Sequence, residues 1–206
     1  MSKKTALPVF ALGSALIGAA GALIALDQWT KALAESRLAG QGVVRLLGDF
    51  VVLIYTKNRG AFLSLGSGLA PALRTVLLVA LPIGALAFLC WALLAKGLSD
   101  SSWGKAGRAA AVFVFAGGAG NLIDRIAYGE VRDFLNFRLG SLPPTGIMNL
   151  ADLYILAALV IIVYATLRKG RKKDGSGTGQ QAGCGEGDSG DSGDSSDSSD
   201  SSGGEA

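Results

Sequence analysis

The sequence predicts a mainly α-helical membrane protein: four transmembrane helices, a small extracytoplasmic β-rich insertion and a disordered C-terminal tail. Three observations carry that prediction. Half of the 206 residues are hydrophobic and only 17% are charged, a balance too apolar for most soluble domains. Four uncharged runs of 15 to 22 residues interrupt the chain. The charge is also divided, because residues 174–206 carry eight acids and no Lys or Arg, leaving 19 basic residues against 8 acidic ones, or +11, on the rest.

The first run, 5–26, has 22 uncharged residues, enough at about 1.5 Å per residue to cross a hydrocarbon core of roughly 30 Å. Lys3 and Lys4 ahead of it would also suit a secretory signal. The run exceeds a signal's apolar region, however, and ends in Asp27-Gln28-Trp29-Thr30-Lys31 without a small-residue cleavage site, so we read it as the first span. Residues 32–74 form the insertion. Within it, 43–58 is rich in β-branched residues and is broken by Gly48 and Asp49, which predicts two short strands joined by a turn. They belong outside the bilayer core, where an open sheet edge would leave backbone groups unpaired. Residues 75–95 are a second span of 21 uncharged residues, with Pro82 as a candidate kink and Trp91, like Trp29 and Trp103, as an interfacial anchor.

The third run, 109–123, and the fourth, 153–167, each hold 15 residues, about 22 Å of helix. They lie between Arg108 and Asp124 and between Asp152 and Arg168, so antiparallel packing brings Asp124 and Asp152 to one depth. Gly117, Gly118, Ala119 and Gly120 offer a small surface for close helix packing; no GK[ST] follows, as a phosphate loop would require. Five basic residues in the six positions 168–173 favour a cytoplasmic face for both termini. Loops 27–74 and 124–149 then face outward. The tail 174–206, nearly all small polar residues and Asp, has almost nothing to bury and is expected to be disordered. The domain division is thus 1–173 and 174–206.

The chain has no His, and its two Cys, Cys90 and Cys184, stand far apart. A zinc site, a His-based triad and a disulfide framework lack their parts, so neither a metal nor a cofactor is expected. Asp124, Asp133 and Asp152, at the ends of very apolar runs, are costly to keep without a purpose. Two carboxylates facing one water can act as base and acid, since close like charges resist simultaneous ionisation, and that suits amide hydrolysis. The depth match allows Asp124 with Asp152. The turn at Gly129 equally allows Asp133 to fold back over the fourth helix toward Asp152, leaving Asp124 as a salt-bridged partner of Arg125. Asp27 and Lys31, at i and i+4, read as a helix-end ion pair worth a few tenths of a kcal/mol. Lys57 and Arg59 read as solvent or lipid-headgroup contacts. Two other classes are a small transporter or proton pathway, which would show repeated halves or acids near mid-bilayer, and a membrane scaffold, which leaves Asp133 and Asp152 unexplained.

Five segments in order resemble a known family: Asp27-x-x-x-Lys31, Asn58-x-Gly60-Ala61, Gly120-Asn121-Leu122-Ile123-Asp124-Arg125, Gly129-x-Val131-x-Asp133-Phe134 and Asn149-x-Ala151-Asp152. Over roughly 6–168 the chain is similar to lipoprotein signal peptidase, signal peptidase II. The resemblance implies four transmembrane helices carrying an extracytoplasmic β-cradle. It also implies an aspartic dyad that cleaves bacterial prolipoproteins before a diacylglyceryl-modified Cys. By resemblance Asp133 and Asp152 are catalytic, Asn58, Gly60, Asn121 and Arg125 line the substrate site, and Asp27, Lys31, Asp124 and Asn149 support it. The implied setting is the bacterial inner membrane, with membrane lipids and prolipoproteins as partners, no nucleic acid, a monomer, and the site toward the outer face. Phe62 stands one place forward of the family's usual aromatic, and Gln28 and Arg132 are lesser variations.

Overall fold

A computed structural model of the chain describes residues 3–60, 68, 70–97, 104–138, 140 and 144–174. Phe62, Trp103 and the tail beyond 174 lie outside the described residues. Met1–Lys169 forms one compact unit; of the second, Gly170–Ala206, only 170–174 are described.

Among the described residues, four helices are long and apolar enough to cross a membrane. Helix α1 spans Lys3–Leu38, twelve residues past the uncharged run. It continues because Asp27 and Lys31 stack one turn apart and neutralise each other inside the bundle. Helix α2, Pro71–Ala95, carries a π-helical turn at Val76–Ala80 just before Pro82. Proline has no N–H to donate and crowds the preceding turn, and the backbone answers by looping one residue wider, so that Leu81 N–H reaches the Val76 carbonyl. Helix α3 spans Gly104–Tyr128 and α4 Leu150–Asp174.

Small residues set how closely these helices pack. A Cβ on Gly117 would run into the Ala151 carbonyl and Ile155 of α4, and one on Gly118 would meet Leu86 of α2 at 2.9 Å. The packing role expected for this glycine run is the one observed.

Strands β1, Val44–Leu46, and β2, Val51–Asn58, form the expected hairpin. Its turn runs through Leu47, Gly48 and Asp49, all at positive φ. The β-rich region differs from expectation in two ways. Helix takes both ends of the 32–74 insertion, and a third strand, β3, Val131–Phe137, comes from beyond α3 to pair antiparallel with β2. Its short, mixed run offers no clear period-two alternation, and all four of its first residues are buried. Gly129, at φ +73°, ends α3 with its N–H on the Arg125 carbonyl, a left-handed cap that glycine adopts without strain. That reversal lays β3 across the helix ends. Met148 then pairs with Leu135, exchanging two backbone bonds of 2.7 Å, which delivers the start of α4 directly beside β3.

Candidate active site

The two carboxylates of interest arrive from these two adjoining segments. Asp133 sits in β3 and is 1% exposed, while Asp152 lies in the first turn of α4 and is half-buried. Three asparagines hold them. Asn149 caps α4 reciprocally: its Oδ1 accepts from the Asp152 N–H at 3.0 Å, and its own N–H donates to Asp152 Oδ2 at 3.2 Å, as in a capping box. Its side-chain amide donates to Asp133 Oδ1 at 2.6 Å and to Asn121 Oδ1 at 2.9 Å. Asn121 Nδ2 donates to Asp152 Oδ1 at 2.8 Å, and Asn58 Nδ2 to Asp133 Oδ2 at 3.0 Å. Asn58 is itself fixed by the Gly60 N–H on its Oδ1 at 2.9 Å, and the Gly60 carbonyl accepts from Arg125 at 3.2 Å.

All four carboxylate oxygens therefore accept an N–H. Burial pushes the Asp133 carboxyl up to about 6, against the hydrogen bond from Asn58; the neighbouring Asp152 charge raises it further, while Asn149 and Lys31 lower it. A carboxyl that keeps its proton toward neutral pH beside a second carboxylate is the arrangement an acid–base pair requires.

Behind the pair lies a buried ionic layer. Lys31 and Asp27 are both wholly buried and 2.8 Å apart, so they are a core pair rather than the helix-end pair expected from their spacing. Asp27 Oδ1 accepts the Ala151 N–H at 2.9 Å, satisfying a donor that the start of α4 leaves free. Gly120 makes room for it, since a Cβ there would stand 2.5 Å from Asp27 Oδ2. Lys31 also donates to Asn121 Oδ1 at 3.0 Å and lies 3.6 Å from Asp124.

Asp124 does not join Asp152, despite their matched depth. Its carboxylate is taken by Arg132, at 2.9 Å between Nη2 and Oδ1, and Arg125, the partner expected for it, instead holds the Gly60 backbone. The position facing Asp152 on α3 is Asn121, three residues earlier and on the same helix face. Lys57 and Arg59 pair with Glu130 at 3.1 and 3.2 Å. Against a burial that would raise it, the two cations hold the Glu130 carboxyl below its usual range. Arg132, Glu130 and Glu35 were not singled out by sequence reasoning as site residues. The available signal is an arginine directly before Asp133 in the sequence. Each buried side-chain polar atom among the described residues has a hydrogen-bond partner.

A family model described as signal peptidase (SPase) II matches residues 19–168. The lipoprotein signal peptidase of Bifidobacterium longum is 34% identical over 157 residues, covering 72% of this chain and 75% of the relative. That of Leifsonia xyli subsp. xyli is 33% identical over 175 residues, covering 79% and 73%. A solved bacterial membrane enzyme, determined by the in meso method, shares the fold with a TM-score of 0.62 at 23% identity, covering 83% of this chain and 95% of that one. Apolar helices long enough to cross a membrane, carrying carboxylates beside a small sheet, define a polytopic membrane protein of the family's fold. The chain belongs to the signal peptidase II family and is a peptidase.

Proposed function

We propose that the protein removes signal peptides from bacterial prolipoproteins, cutting before the diacylglyceryl-modified Cys, with Asp133 and Asp152 as the reacting pair. The observation that carries this reading is the engagement of all four oxygens of the pair by Asn58, Asn121 and Asn149, which fixes the orientation of both carboxyl groups about the shared Asn149. Asp133, the more buried, keeps that proton and acts as acid; Asp152, the more open, acts as base. Asp152 takes a proton from water as its oxygen bonds to the scissile carbonyl carbon, and Asp133 protonates the carbonyl oxygen. The tetrahedral adduct then collapses. Asp152 gives its proton to the leaving nitrogen as the C–N bond breaks, and the hydroxyl proton returns to Asp133.

Asn58, Gly60, Asn121 and Arg125 border the pair and are assigned to the substrate side; Asp27, Lys31, Asp124 and Asn149 are its supports. Residues 1–173 carry the activity. The basic run from Arg168 to Lys173 lies about 16 residues of helix from Asp152, or about 24 Å, and its charge favours the cytoplasmic face, so the pair opens toward the outer face of the bacterial membrane.

The test is cleavage of a diacylglyceryl-modified prolipoprotein by purified protein beside Asp133→Asn and Asp152→Asn. Each variant is expected to lose turnover, because an amide can neither take the water's proton nor supply the carbonyl's. Wild-type cleavage by either variant overturns the assignment.

A further inference from the structure

Arg132 adjoins Asp133 in β3, and strand geometry sends consecutive side chains to opposite faces. It is 5% exposed, and its guanidinium reaches two helices at once. Its N–H and Nε donate to Asp124 Oδ2 at 3.0 and 3.2 Å, and Nη2 donates to Oδ1 at 2.9 Å, tying the strand to α3. Nη2 also donates to Gln28 Oε1 at 3.0 Å and Nη1 to Glu35 Oε2 at 3.3 Å, tying it to α1. Gln28 is anchored in turn, its Nε2 donating to the Gly120 carbonyl at 3.0 Å and to Asp27 at 3.2 Å. Gln28 therefore links Arg132 to both α3 and the buried Asp27.

We propose that Arg132, locked by Asp124 and Gln28, is a positioning residue that sets where Asp133 stands against Asp152. The inference rests on the assignment of those two carboxylates as the reacting pair. Two physical couplings support it. The first is through the backbone: Arg132 N–H and side chain together grip one carboxylate, so the residue directly before Asp133 cannot shift without breaking buried bonds. The second is through charge. Lys31 stands between Asp27 at 2.8 Å and Asp124 at 3.6 Å while donating to Asn121, and Asn121 in turn donates to Asp152. With Arg132 neutralising Asp124, Lys31 stays with Asp27 and Asn121. Without it, Asp124 competes for Lys31 and loosens the amide that holds Asp152.

The residue differs from a purely structural cation in what its loss changes. A misplaced reacting group slows the chemical step, whereas the substrate's bulk still binds, and displacement of about 1 Å is enough for a large rate loss. The experiment uses full-length protein in detergent with a diacylglyceryl-modified prolipoprotein, comparing Arg132→Met, Arg132→Lys, Asp133→Asn and Asp152→Asn. Arg132→Met is expected to lower kcat about tenfold or more with KM within about twofold of wild type. Arg132→Lys, which restores a point charge without the two-helix bridge, regains part of kcat at unchanged KM. An unchanged kcat in Arg132→Met, or a loss confined to KM, overturns the inference. Should the Met variant fail to fold, Arg132→Lys decides alone: a several-fold lower kcat supports positioning and a wild-type kcat overturns it. Wild-type turnover retained by either Asn variant would remove the reacting pair and this inference with it. Dead Asn variants beside a fully active Arg132→Met would remove the positioning role alone.

Discussion

The side-chain amide of Asn149 donates to Oδ1 of Asp133 across 2.6 Å. The same residue forms the reciprocal cap with Asp152, so a single asparagine spaces both carboxylates. Asn149→Ala removes a helix cap, worth about 1 kcal/mol, together with buried bonds of about 1 kcal/mol each. We expect a stability loss of a few kcal/mol and a loss of turnover larger than that destabilisation explains. Thermal unfolding beside cleavage rate, measured where both proteins remain folded, checks this; proportionate losses would make Asn149 a cap and nothing more.

The pH dependence follows from the raised carboxyl of Asp133. Its proton serves as the acid, so kcat/KM should fall as pH rises through and beyond about 6, with the apparent value belonging to the pair. Stability carries the same sign. The folded state holds this proton more tightly than the unfolded one, so the contribution is complete below the ordinary Asp range near 3.8 and is lost as pH rises through about 6. A rate profile without an alkaline limb between pH 5 and 9 would contradict the assignment of Asp133 as acid.

Asp124 should fail in a different way from the reacting pair. Its carboxylate is wholly buried against Arg132 and Lys31, and removing one partner of a buried ion pair costs about 3–5 kcal/mol because the other charge is stranded. Asp124→Asn is expected to lose thermal stability while residual cleavage persists in the folded fraction. A variant that melts like wild type yet cleaves nothing would place Asp124 in the chemistry.

Glycine substitutions separate contact from propensity. At Gly120 an added Cβ meets Asp27 Oδ2 at 2.5 Å and the Ala151 Cβ at 3.3 Å, and Asp27 cannot retreat while it holds Lys31 and the α4 N-terminus. Gly120→Ala should therefore cost about 1–3 kcal/mol and reduce turnover. Gly18 has nothing within 4 Å of its would-be Cβ, so Gly18→Ala should be neutral or stabilising by up to about 1 kcal/mol. Equal melting temperatures for the two variants would refute the close approach of α1 and α3.

The helices and the hairpin are legible along the chain because each is a local pattern. An uncharged run of 22 residues has few places to go but lipid, and Gly48-Asp49 between β-branched runs turns the chain with no help from elsewhere. The carboxylates at the ends of the third and fourth runs stand out for the same reason, since the cost of an acid at an apolar boundary is a property of its immediate neighbours. The resemblance to the family implies Asp133 and Asp152 as a pair.

Partnership is what the linear chain does not contain. Asp124 has a cation at the next position and an acid at matching depth on the neighbouring helix, yet it bonds to Arg132, eight residues on and across the Gly129 reversal. Asp27 and Lys31 look like a helix-end pair until Gly120 of α3 and the open N-terminus of α4 enclose them. Helix spacing fixes which side chains share a face, but burial and pairing depend on which other element covers that face. Only the packed tertiary structure brings Met148 against Leu135, and with it Asn149 between the two carboxylates; bonds between segments far apart in sequence leave no periodic trace in either one.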